Sequence, residues 1–232
     1  KDVIVIGAGI SGIAAGYHLK KKCSNKTFSI LEARNNIGGT WDLFKYPGIR
    51  SDSDMHTLGY RFKPWISKKS IADGPSILKY LDDTVKDYDL KKNILFNHKV
   101  LNANWNSKKS YWSLIVETNG KSKEITCNFL FLCGGYFSYS KPHMPTFKDQ
   151  ENFRGDVIHP QFWNSEIDYK NKRVIVIGSG ATAVTLAPEI AKKTKHVVML
   201  QRSPTYVVSW PSEDKINLFL KKILPLKISY FL

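Results

Sequence analysis

Three glycines near the start of the chain have the spacing of a phosphate-binding turn. Gly7, Gly9 and Gly12 form GxGxxG directly after the apolar run VIVI, and Glu32 ends the next apolar run. The first glycine permits a tight turn, the second lets the backbone approach a pyrophosphate, and the third allows close packing of a helix whose N-terminus attracts phosphate. A carboxylate at the position of Glu32 can hydrogen-bond a ribose diol. The pattern predicts a dinucleotide site, and its alternative is a purely structural glycine turn.

A looser copy of this pattern follows, because KRVIVIGSGATAVTL at 172–186 repeats KDVIVIGAGISGIAA at 1–15. The strand after the copy ends in Gln201 and Arg202, where the first unit has Glu32. A carboxylate repels a 2′-phosphate and a guanidinium pairs with one, so this site is predicted to prefer NADPH over NADH. The alternative is that Arg202 is a solvated surface residue. The residues predicted to bind NADPH are Gly178, Ser179, Gly180, Ala181, Thr182, Ala183, Gln201, Arg202 and Ser203.

Two dinucleotide sites on one chain indicate that one cofactor passes electrons to another. A nicotinamide donor and a flavin acceptor are the usual pair, with the flavin in the N-terminal unit that carries the glutamate. The three cysteines, Cys23, Cys127 and Cys133, have neither metal-ligand nor redox spacing. This argues against a flavin disulfide reductase, which needs a dithiol, and fits a reducing, cytoplasmic compartment. No metal site is predicted.

The chain is strongly basic, with a formal net charge of +15 from 35 basic and 20 acidic residues. Such a balance suits nucleic acid, an anionic membrane surface or a phosphate-bearing cofactor. Because the lysines are dispersed and no basic stripe is interleaved with aromatic residues, nucleic-acid binding is not predicted. The segment 215–232 combines lysines with large apolar residues and leaves peripheral membrane contact open, although Pro225 breaks any single amphipathic helix there.

Around these glycine turns the sequence predicts an α/β fold with two Rossmann-like dinucleotide-binding domains, for FAD and NADPH. Each βα unit has a buried parallel strand before the turn and a second strand after the helix, at 28–33 and 196–201. A helix near 75–88 and alternating runs at 94–105, 111–118 and 123–132 predict a β-meander inserted in the first domain. The apolar run NFLFLCGG at 128–135 is predicted to return to the first parallel sheet.

Two further stretches resemble a known family. IGGTWDLFKYPGIRSDSDMHTLGYRFKPW at 37–65 resembles the flavin-binding segment of the class B flavin monooxygenases. FRGDVIHPQFWN at 153–164 resembles the fingerprint FxGxxxHxxxW, followed by Pro or Asp, of the Baeyer–Villiger monooxygenases within that class. Asn164 stands at the final position, and Asn is isosteric with Asp. Within the family the motifs are most similar to those of members that oxidise thioamides. The matching fingerprint positions are Phe153, Gly155, His159 and Trp163.

The resemblance implies an NADPH- and O2-dependent flavoprotein monooxygenase. Such an enzyme acts through a C4a-peroxyflavin, inserting one oxygen atom into a ketone or oxidising the sulfur of a thioether or thioamide. The alternatives are a flavin-containing monooxygenase that oxygenates nitrogen or sulfur, a non-oxygenating FAD/NADPH reductase, and a non-catalytic nucleotide-sensing module.

The resemblance also implies roles for individual residues. Asp52 is expected near the isoalloxazine and nicotinamide as a catalytic candidate, and His159 is expected to couple the two domains. The alternative role of Trp41 is to fill space in the hydrophobic core. The alternative role of the SDSD run, which includes Asp52, is to cap a helix at 54–60. The family pattern has a tyrosine at the position of Leu58, so the contact made by that tyrosine is not expected in this chain. The residues implied to bind FAD are Gly7, Gly9, Gly12, Glu32, Gly39, Thr40, Trp41, Asp52 and Val100.

Members of the family are about twice as long as this chain and complete the flavin domain after the NADPH domain. We therefore expect an N-terminal fragment that lacks the catalytic arginine of the family. Its predicted domains are an incomplete FAD-binding domain at 1–140, a linker with the fingerprint at 141–170 and a truncated NADPH-binding domain at 171–232.

Overall fold

The β-branched runs of the sequence form strands in the computed structural model, which describes residues 1–209, 211–225 and 228. The strands are β1 (Val3–Ile6), β2 (Phe28–Leu31), β3 (Ile94–Leu95), β4 (Lys99–Asn106), β5 (Tyr111–Thr118), β6 (Lys121–Cys127), β7 (Phe129–Leu132), β8 (Arg173–Ile177) and β9 (His196–Leu200). The α-helices are α1 (Ile10–Lys22), α2 (Thr40–Leu43), α3 (Met55–Leu58), α4 (Gly74–Asp87), α5 (Ala181–Ala191) and α6 (Lys215–Ile223).

The chain divides into two compact units. The first contains Lys1–Leu43 and Ile77–Ser138, and the second contains Phe44–Ser76 and Tyr139–Leu232. The predicted domain ranges 1–140, 141–170 and 171–232 divide the chain differently, because residues 44–76 group with the second unit. Those ranges refer to the nucleotide-binding domains of the whole protein and stay a prediction.

A parallel four-stranded sheet in the order β3-β2-β1-β7 forms the centre of the first unit. The runs VIVI and FSIL carry no charged side chain, and Val5 and Ile30 at their centres are fully buried. Ile13 of the connecting helix α1 is also fully buried. Strands that are apolar on both faces are typical of a parallel sheet between helices, so this unit has the predicted Rossmann-like architecture.

The predicted β-meander is formed by β4, β5 and β6, which pair antiparallel in that order. It is shorter than predicted at both ends. Residues 94–95 form β3 of the parallel sheet, and residues 129–132 form β7, which pairs in parallel with β1. The run at 94–105 is interrupted because Asn97 has a left-handed backbone, with φ of 55°. Leu114 and Val116 of the meander share a buried cluster with Ile4 and Leu31 of the sheet.

The second unit contains a β8–α5–β9 segment, in which the two strands pair in parallel. Leu186 and Ile190 of α5 are buried. Residues 44–76 contribute the buried aromatic side chains Phe44, Tyr46, Tyr60 and Trp65 to the same unit. The glycine turn between β8 and α5 therefore lies in the same compact unit as the YPG turn (residues 46–48) and the SDSD run (residues 51–54).

Within residues 1–209, 211–225 and 228, the structure has no helix that combines the length and the apolar character needed to cross a membrane. Cys23, Cys127 and Cys133 are free thiols. Burial raises the pKa of the Cys127 and Cys133 thiols above the ordinary value.

Candidate functional site

The first glycine turn connects the end of β1 to α1. Gly7 has φ of 98° and donates its N–H to the Leu31 carbonyl at 2.8 Å. A Cβ at Gly7 would lie 2.5 Å from the Cys133 carbonyl oxygen, and one at Gly12 would collide with the Gly7 carbonyl oxygen. The turn therefore requires glycine at both positions, as a tight strand-to-helix turn with close packing does.

Glu32 lies buried at the carboxyl end of β2, next to this turn. Its carboxylate accepts the Ala8 N–H at 2.8 Å with one oxygen and the Arg34 N–H at 3.0 Å with the other. The Glu32 backbone carbonyl accepts the His98 N–H at 2.9 Å, so the chain that leads to Val100 passes beside the same position. Val100 pairs with Val116 in the meander and packs against the buried cluster. A carboxylate held by two backbone donors has a fixed orientation toward any ligand of the turn.

The segment that contains Gly38 and Gly39 (the GG segment) runs next to the first glycine turn. Gly38 has φ of 109° and donates its N–H to the Ala8 carbonyl at 3.0 Å, and Gly39 has φ of 54°. A Cβ at Gly9 would lie 3.6 Å from the Gly39 Cα. The two glycine-rich backbones thus pass close to each other, and side chains are absent where a cofactor's phosphates need the space.

An arginine that the sequence did not single out fixes this segment. Arg34 donates from its guanidinium to the Gly39 carbonyl at 3.4 Å and forms an ion pair with Asp42 in α2. Asp42 is largely buried, with 10% of its side chain exposed. The only signal in the sequence is that opposite charges flank the glycine pair, and that spacing does not by itself predict a contact. Thr40 begins α2, and Trp41 follows it with its side chain partly exposed.

The first glycine turn, the N-terminus of α1 and Glu32 together fit a bound dinucleotide. The glycine turn leaves room for phosphate, α1 begins without an acidic side chain in its first turn, and Gly9 as the residue before it brings no side chain. Backbone N–H groups and the helix dipole at such a terminus favour an anion. Glu32 is the carboxylate that the ribose of such a ligand needs.

The second glycine turn repeats this geometry between β8 and α5. Gly178 has φ of 132° and donates its N–H to the Leu200 carbonyl at 2.9 Å. A Cβ at Gly180 would meet no heavy atom within 4 Å, and the first turn of α5 contains no acidic residue. The Ser179 hydroxyl donates to the Ser203 carbonyl at 3.0 Å, which holds the segment Gln201–Ser203 beside the turn. This turn also fits a dinucleotide phosphate.

The side chain of Arg202 is exposed two residues after the end of β9, one position beyond Gln201, which is the residue equivalent to Glu32. The neighbouring Gln201 donates from its amide to the Met199 sulfur at 3.0 Å. The exposed guanidinium is compatible with a 2′-phosphate partner and with a solvated surface residue, so its role stays a prediction.

The SDSD run lies in the second unit. Asp54 caps α3 by accepting the N–H groups of His56 at 2.9 Å and Thr57 at 3.0 Å. The capping function that the sequence left open for this run therefore belongs to Asp54, and the helix ends at Leu58. Asp52 is exposed. The predicted roles of Asp52 and of the FAD-binding residues stay predictions.

The fingerprint residues 153–164 form a connector that is held by local contacts and by a hydrogen bond from the amide of the buried Gln161 to the Tyr139 carbonyl at 3.2 Å. His159 accepts the Gln161 N–H on Nδ1 at 3.2 Å and so caps a single helical turn at Pro160–Phe162. Burial, with a smaller contribution from His143, lowers the pKa of His159. The Asn164 Oδ1 accepts the Glu166 N–H at 2.9 Å, a contact that an Asp oxygen would make equally well. The replacement of Asp by Asn at 164 is therefore conservative here, and the coupling role of His159 stays a prediction.

Together the two βα units, each with a glycine turn open to phosphate, define an α/β protein of the class that binds two dinucleotides. The model of the flavin-binding monooxygenase-like family matches residues 70–230, and that of the NAD(P)-binding Rossmann-like domain matches residues 5–67. The chain belongs to the flavin-binding monooxygenase-like family.

Curated proteins and solved structures agree with this assignment. The chain is 50% identical to the FAD-containing monooxygenase EthA of Mycobacterium tuberculosis over 230 residues, which are 99% of this chain and 47% of that protein. It is 49% identical to the probable FAD-binding monooxygenase AlmA of an Acinetobacter species, covering 99% of this chain and 46% of that protein. The chain thus spans about half the length of the curated relatives it matches.

Solved structures of monooxygenases also resemble nearly the whole chain. A cyclohexanone monooxygenase bound to ε-caprolactone has a TM-score of 0.83 at 26% identity, covering 99% of this chain and 44% of that one. An oxidised steroid monooxygenase bound to NADP has a TM-score of 0.80 at 28% identity, covering 99% and 43%.

Proposed function

We propose that this chain carries the FAD and NADPH sites of a monooxygenase that uses O2 to insert one oxygen atom into a ketone or to oxidise the sulfur of a thioether or thioamide. The observation that carries this proposal is the difference between two similar βα units. Glu32 holds a buried carboxylate beside the first glycine turn, and Arg202 has an exposed guanidinium beside the second. A carboxylate beside the first turn, and Gln201 with the adjacent guanidinium of Arg202 beside the second, favour two different dinucleotides.

The first unit is proposed to hold FAD, which would take a hydride from NADPH and, when reduced, activate O2. Glu32 orients the ribose, the glycine turn and α1 bind the pyrophosphate, and the chain at Val100 lies against the adenine. Gly39, Thr40 and Trp41 extend along the flavin. The ion pair between Arg34 and Asp42 keeps that segment in place.

The second unit is proposed to hold NADPH. Its first-turn N–H groups bind the pyrophosphate, and Arg202 pairs with the 2′-phosphate. Asp52 is proposed to face the flavin and nicotinamide rings, and His159 to couple nucleotide docking to the flavin site through the connector that it caps.

Two kinds of resemblance support the substrate class. The solved relatives include a cyclohexanone monooxygenase, whose name specifies a ketone, which supports insertion of oxygen next to a carbonyl. The motifs GGTWDLFKYPGIRSDSDM and IHPQFW resemble those of thioamide-oxidising members, which supports sulfur oxidation in the same site. Free cysteines are consistent with a cytoplasmic location.

The proposal is tested on the full-length protein reconstituted with FAD. Without oxygen, NADPH should bleach the flavin absorbance, and NADH should do so much more slowly because Arg202 has no phosphate to pair with. Admission of air with a cyclic ketone or a thioether should then give a product heavier by one oxygen atom, detected by mass spectrometry.

The same experiment distinguishes a monooxygenase from the alternative, a reductase that does not oxygenate a substrate. Flavin reduction followed by formation of hydrogen peroxide alone, with no oxygenated product from either class of substrate, would contradict the monooxygenase function. Failure to bind FAD at all would contradict the cofactor assignment as well.

A further inference from the structure

A buried glutamine lies inside the fingerprint stretch, at a position where the fingerprint FxGxxxHxxxW specifies no residue. Gln161 is 7% exposed, and its side-chain amide donates to the Tyr139 backbone carbonyl at 3.2 Å. The two residues are 22 positions apart, so the hydrogen bond joins distant parts of the connector. A hydrogen bond between groups removed from water is costly to break. Gln161 therefore fixes the position of the backbone that carries it.

The backbone of the same glutamine is held by His159. The His159 Nδ1 accepts the Gln161 N–H at 3.2 Å, and Pro160, which has no N–H to satisfy, begins the helical turn between them. The Trp163 N–H closes this turn by donating to the Pro160 carbonyl at 3.2 Å. Gln161 is thus the centre of a capped turn, held through its backbone on one side and through its side chain on the other.

This capped turn lies between the start of the connector and the second glycine turn. The chain leaves the first compact unit at Ser138, and Tyr139 is the next residue. On the other side of the capped turn, the Trp163 ring meets the Tyr169 ring edge-on at a centroid distance of 5.5 Å, four residues before β8 begins at Arg173. Contacts therefore follow the chain from the point where it leaves the first unit to the strand that leads into the second glycine turn.

The contact with the Gln161 N–H also determines the chemical form of His159. A ring nitrogen that accepts a hydrogen bond carries no proton, so the neutral imidazole has its proton on Nε2. Burial, with a smaller contribution from His143, lowers the pKa of His159. The Phe162 ring, which meets the imidazole at a centroid distance of 6.4 Å, adds no charge. The neutral acceptor form is therefore the one present at physiological pH.

We propose that Gln161 is a positioning residue for flavin reduction, and that His159 supports it as a neutral hydrogen-bond acceptor that caps the turn. This role rests on the proposed function, in which the flavin receives hydride from NADPH. The two hydrogen bonds of Gln161 hold the connector in one conformation, which limits the positions from which a nucleotide can approach the flavin. Because hydride transfer depends steeply on the distance and orientation of the reacting atoms, a connector that loses either bond reduces the flavin more slowly.

The first test is anaerobic reduction of the FAD-reconstituted, full-length protein by saturating NADPH, followed by stopped-flow absorbance. Gln161→Met removes the donor to Tyr139 at similar side-chain size and should lower the rate about three- to tenfold, the range of one net hydrogen bond. Gln161→Asn has an amide that is one methylene too short and should give a similar loss. Gln150→Met is the matched control, because Gln150 of the same connector accepts the N–H of the nearby Phe147. It should leave the rate unchanged.

Two changes at His159 distinguish a cap from a proton-transfer group. His159→Ala removes the acceptor and should slow reduction about as much as the Gln161 variants do. His159→Asn cannot transfer a proton, but Asn is among the best N-cap residues, so it should restore most of the lost rate. The wild-type rate should fall as the pH drops below about 6.5, because a protonated His159 cannot accept the Gln161 N–H, and His159→Asn should lack this loss.

Amide hydrogen exchange of residues 158–164, measured by mass spectrometry without NADPH, tests the turn apart from the reaction. His159→Ala should speed exchange in this segment about three- to tenfold, and His159→Asn should restore the protection. Melting temperatures establish that each variant is folded under the assay conditions, and His159→Ala tests the turn independently if the Gln161 variants are unstable.

The positioning role would be overturned by a reduction rate for Gln161→Met within about twofold of the wild type. The cap would be overturned if His159→Asn were as slow as His159→Ala, or if His159→Ala left exchange at 158–164 unchanged. These results differ from a failure of the proposed function, in which NADPH would not reduce the flavin of the wild-type protein itself.

Discussion

Glu32 and Arg202 carry opposite charges close to the carboxyl end of the second strand of their βα units. Both residues follow the second strand of a βα unit, where the carboxyl end of the strand lies beside the glycine turn. The Glu32 carboxylate is held by the Ala8 and Arg34 N–H groups, whereas the Arg202 side chain is exposed. Bringing a 2′-phosphate next to a fixed, buried carboxylate is unfavourable, and bringing it to a guanidinium gains charge-assisted hydrogen bonds.

The prediction at this scale is that Arg202→Ala reduces the affinity for NADPH and leaves that for NADH nearly unchanged. The expected loss is about tenfold or more, which corresponds to a charge-assisted hydrogen bond of about 1.5 kcal/mol. Titration of both nucleotides measures it. Arg173→Ala is the control, since Arg173 begins β8 at the end of the strand away from the glycine turn. Equal losses for NADPH and NADH would refute pairing with the 2′-phosphate.

Some single-residue contacts could not be predicted from the sequence. The position of Glu32 follows from spacing, because a parallel strand of known length must end beside the turn. The contact of Arg34 with Gly39 and Asp42 depends on how residues 35–38 fold back, and no periodic pattern specifies this. The close packing of Gly48 against Thr185 and Glu189 of α5 joins residues far apart in the chain and has no local signal at all.

The elements themselves were largely predictable. The helix expected near 75–88 is α4, and the apolar run before Cys133 returns to β1 as β7. The error in the meander came from treating residues 94–105 as one alternating strand. Apolar alternation continues across Asn97, but its left-handed backbone ends β3, and β4 begins at Lys99. Asn adopts this conformation more readily than most residues, so the residue type was the available signal.

The close contact between β1 and α1 makes a prediction for two glycines of one helix. A Cβ at Gly12 meets the rigid backbone oxygen of Gly7, whereas one at Gly16 meets the movable Ile30 Cδ1 at 2.8 Å. Gly12→Ala should therefore lower the free energy of unfolding by about 2 kcal/mol and reduce bound FAD. Gly16→Ala should stay within about 1 kcal/mol of the wild type, because helix propensity offsets the crowding. Chemical denaturation measures both, and equal effects would contradict the assigned geometry of the turn.

At the scale of the whole molecule, the segment 37–65 is continuous in sequence but belongs to both compact units. The first unit ends at Leu43, after the GG segment and α2, and the second begins at Phe44, before the YPG turn. Composition and periodicity do not change at this point, which is why the sequence assigned the entire segment to the flavin domain. The division follows from packing, since Gly38 donates a hydrogen bond to Ala8 in the first unit and Gly48 packs against Thr185 and Glu189 of α5 in the second.

This division predicts that the two cofactors protect different parts of the segment from amide hydrogen exchange. FAD should slow exchange at residues 7–12 and 38–41, because the glycine turn and the GG segment are fixed to each other in the first unit. NADP⁺ should slow exchange at residues 178–183 and at Tyr46, Gly48 and Ile49, because the turn that contains Gly48 packs on α5 in the second unit. Exchange measured by mass spectrometry, with each cofactor added alone, separates the two patterns, since local protection reports the stability of the unit that binds. If NADP⁺ protects 178–183 but leaves 46–49 unchanged, the YPG turn is not part of the nucleotide-binding unit in solution, and the boundary between Leu43 and Phe44 has no role in cofactor binding.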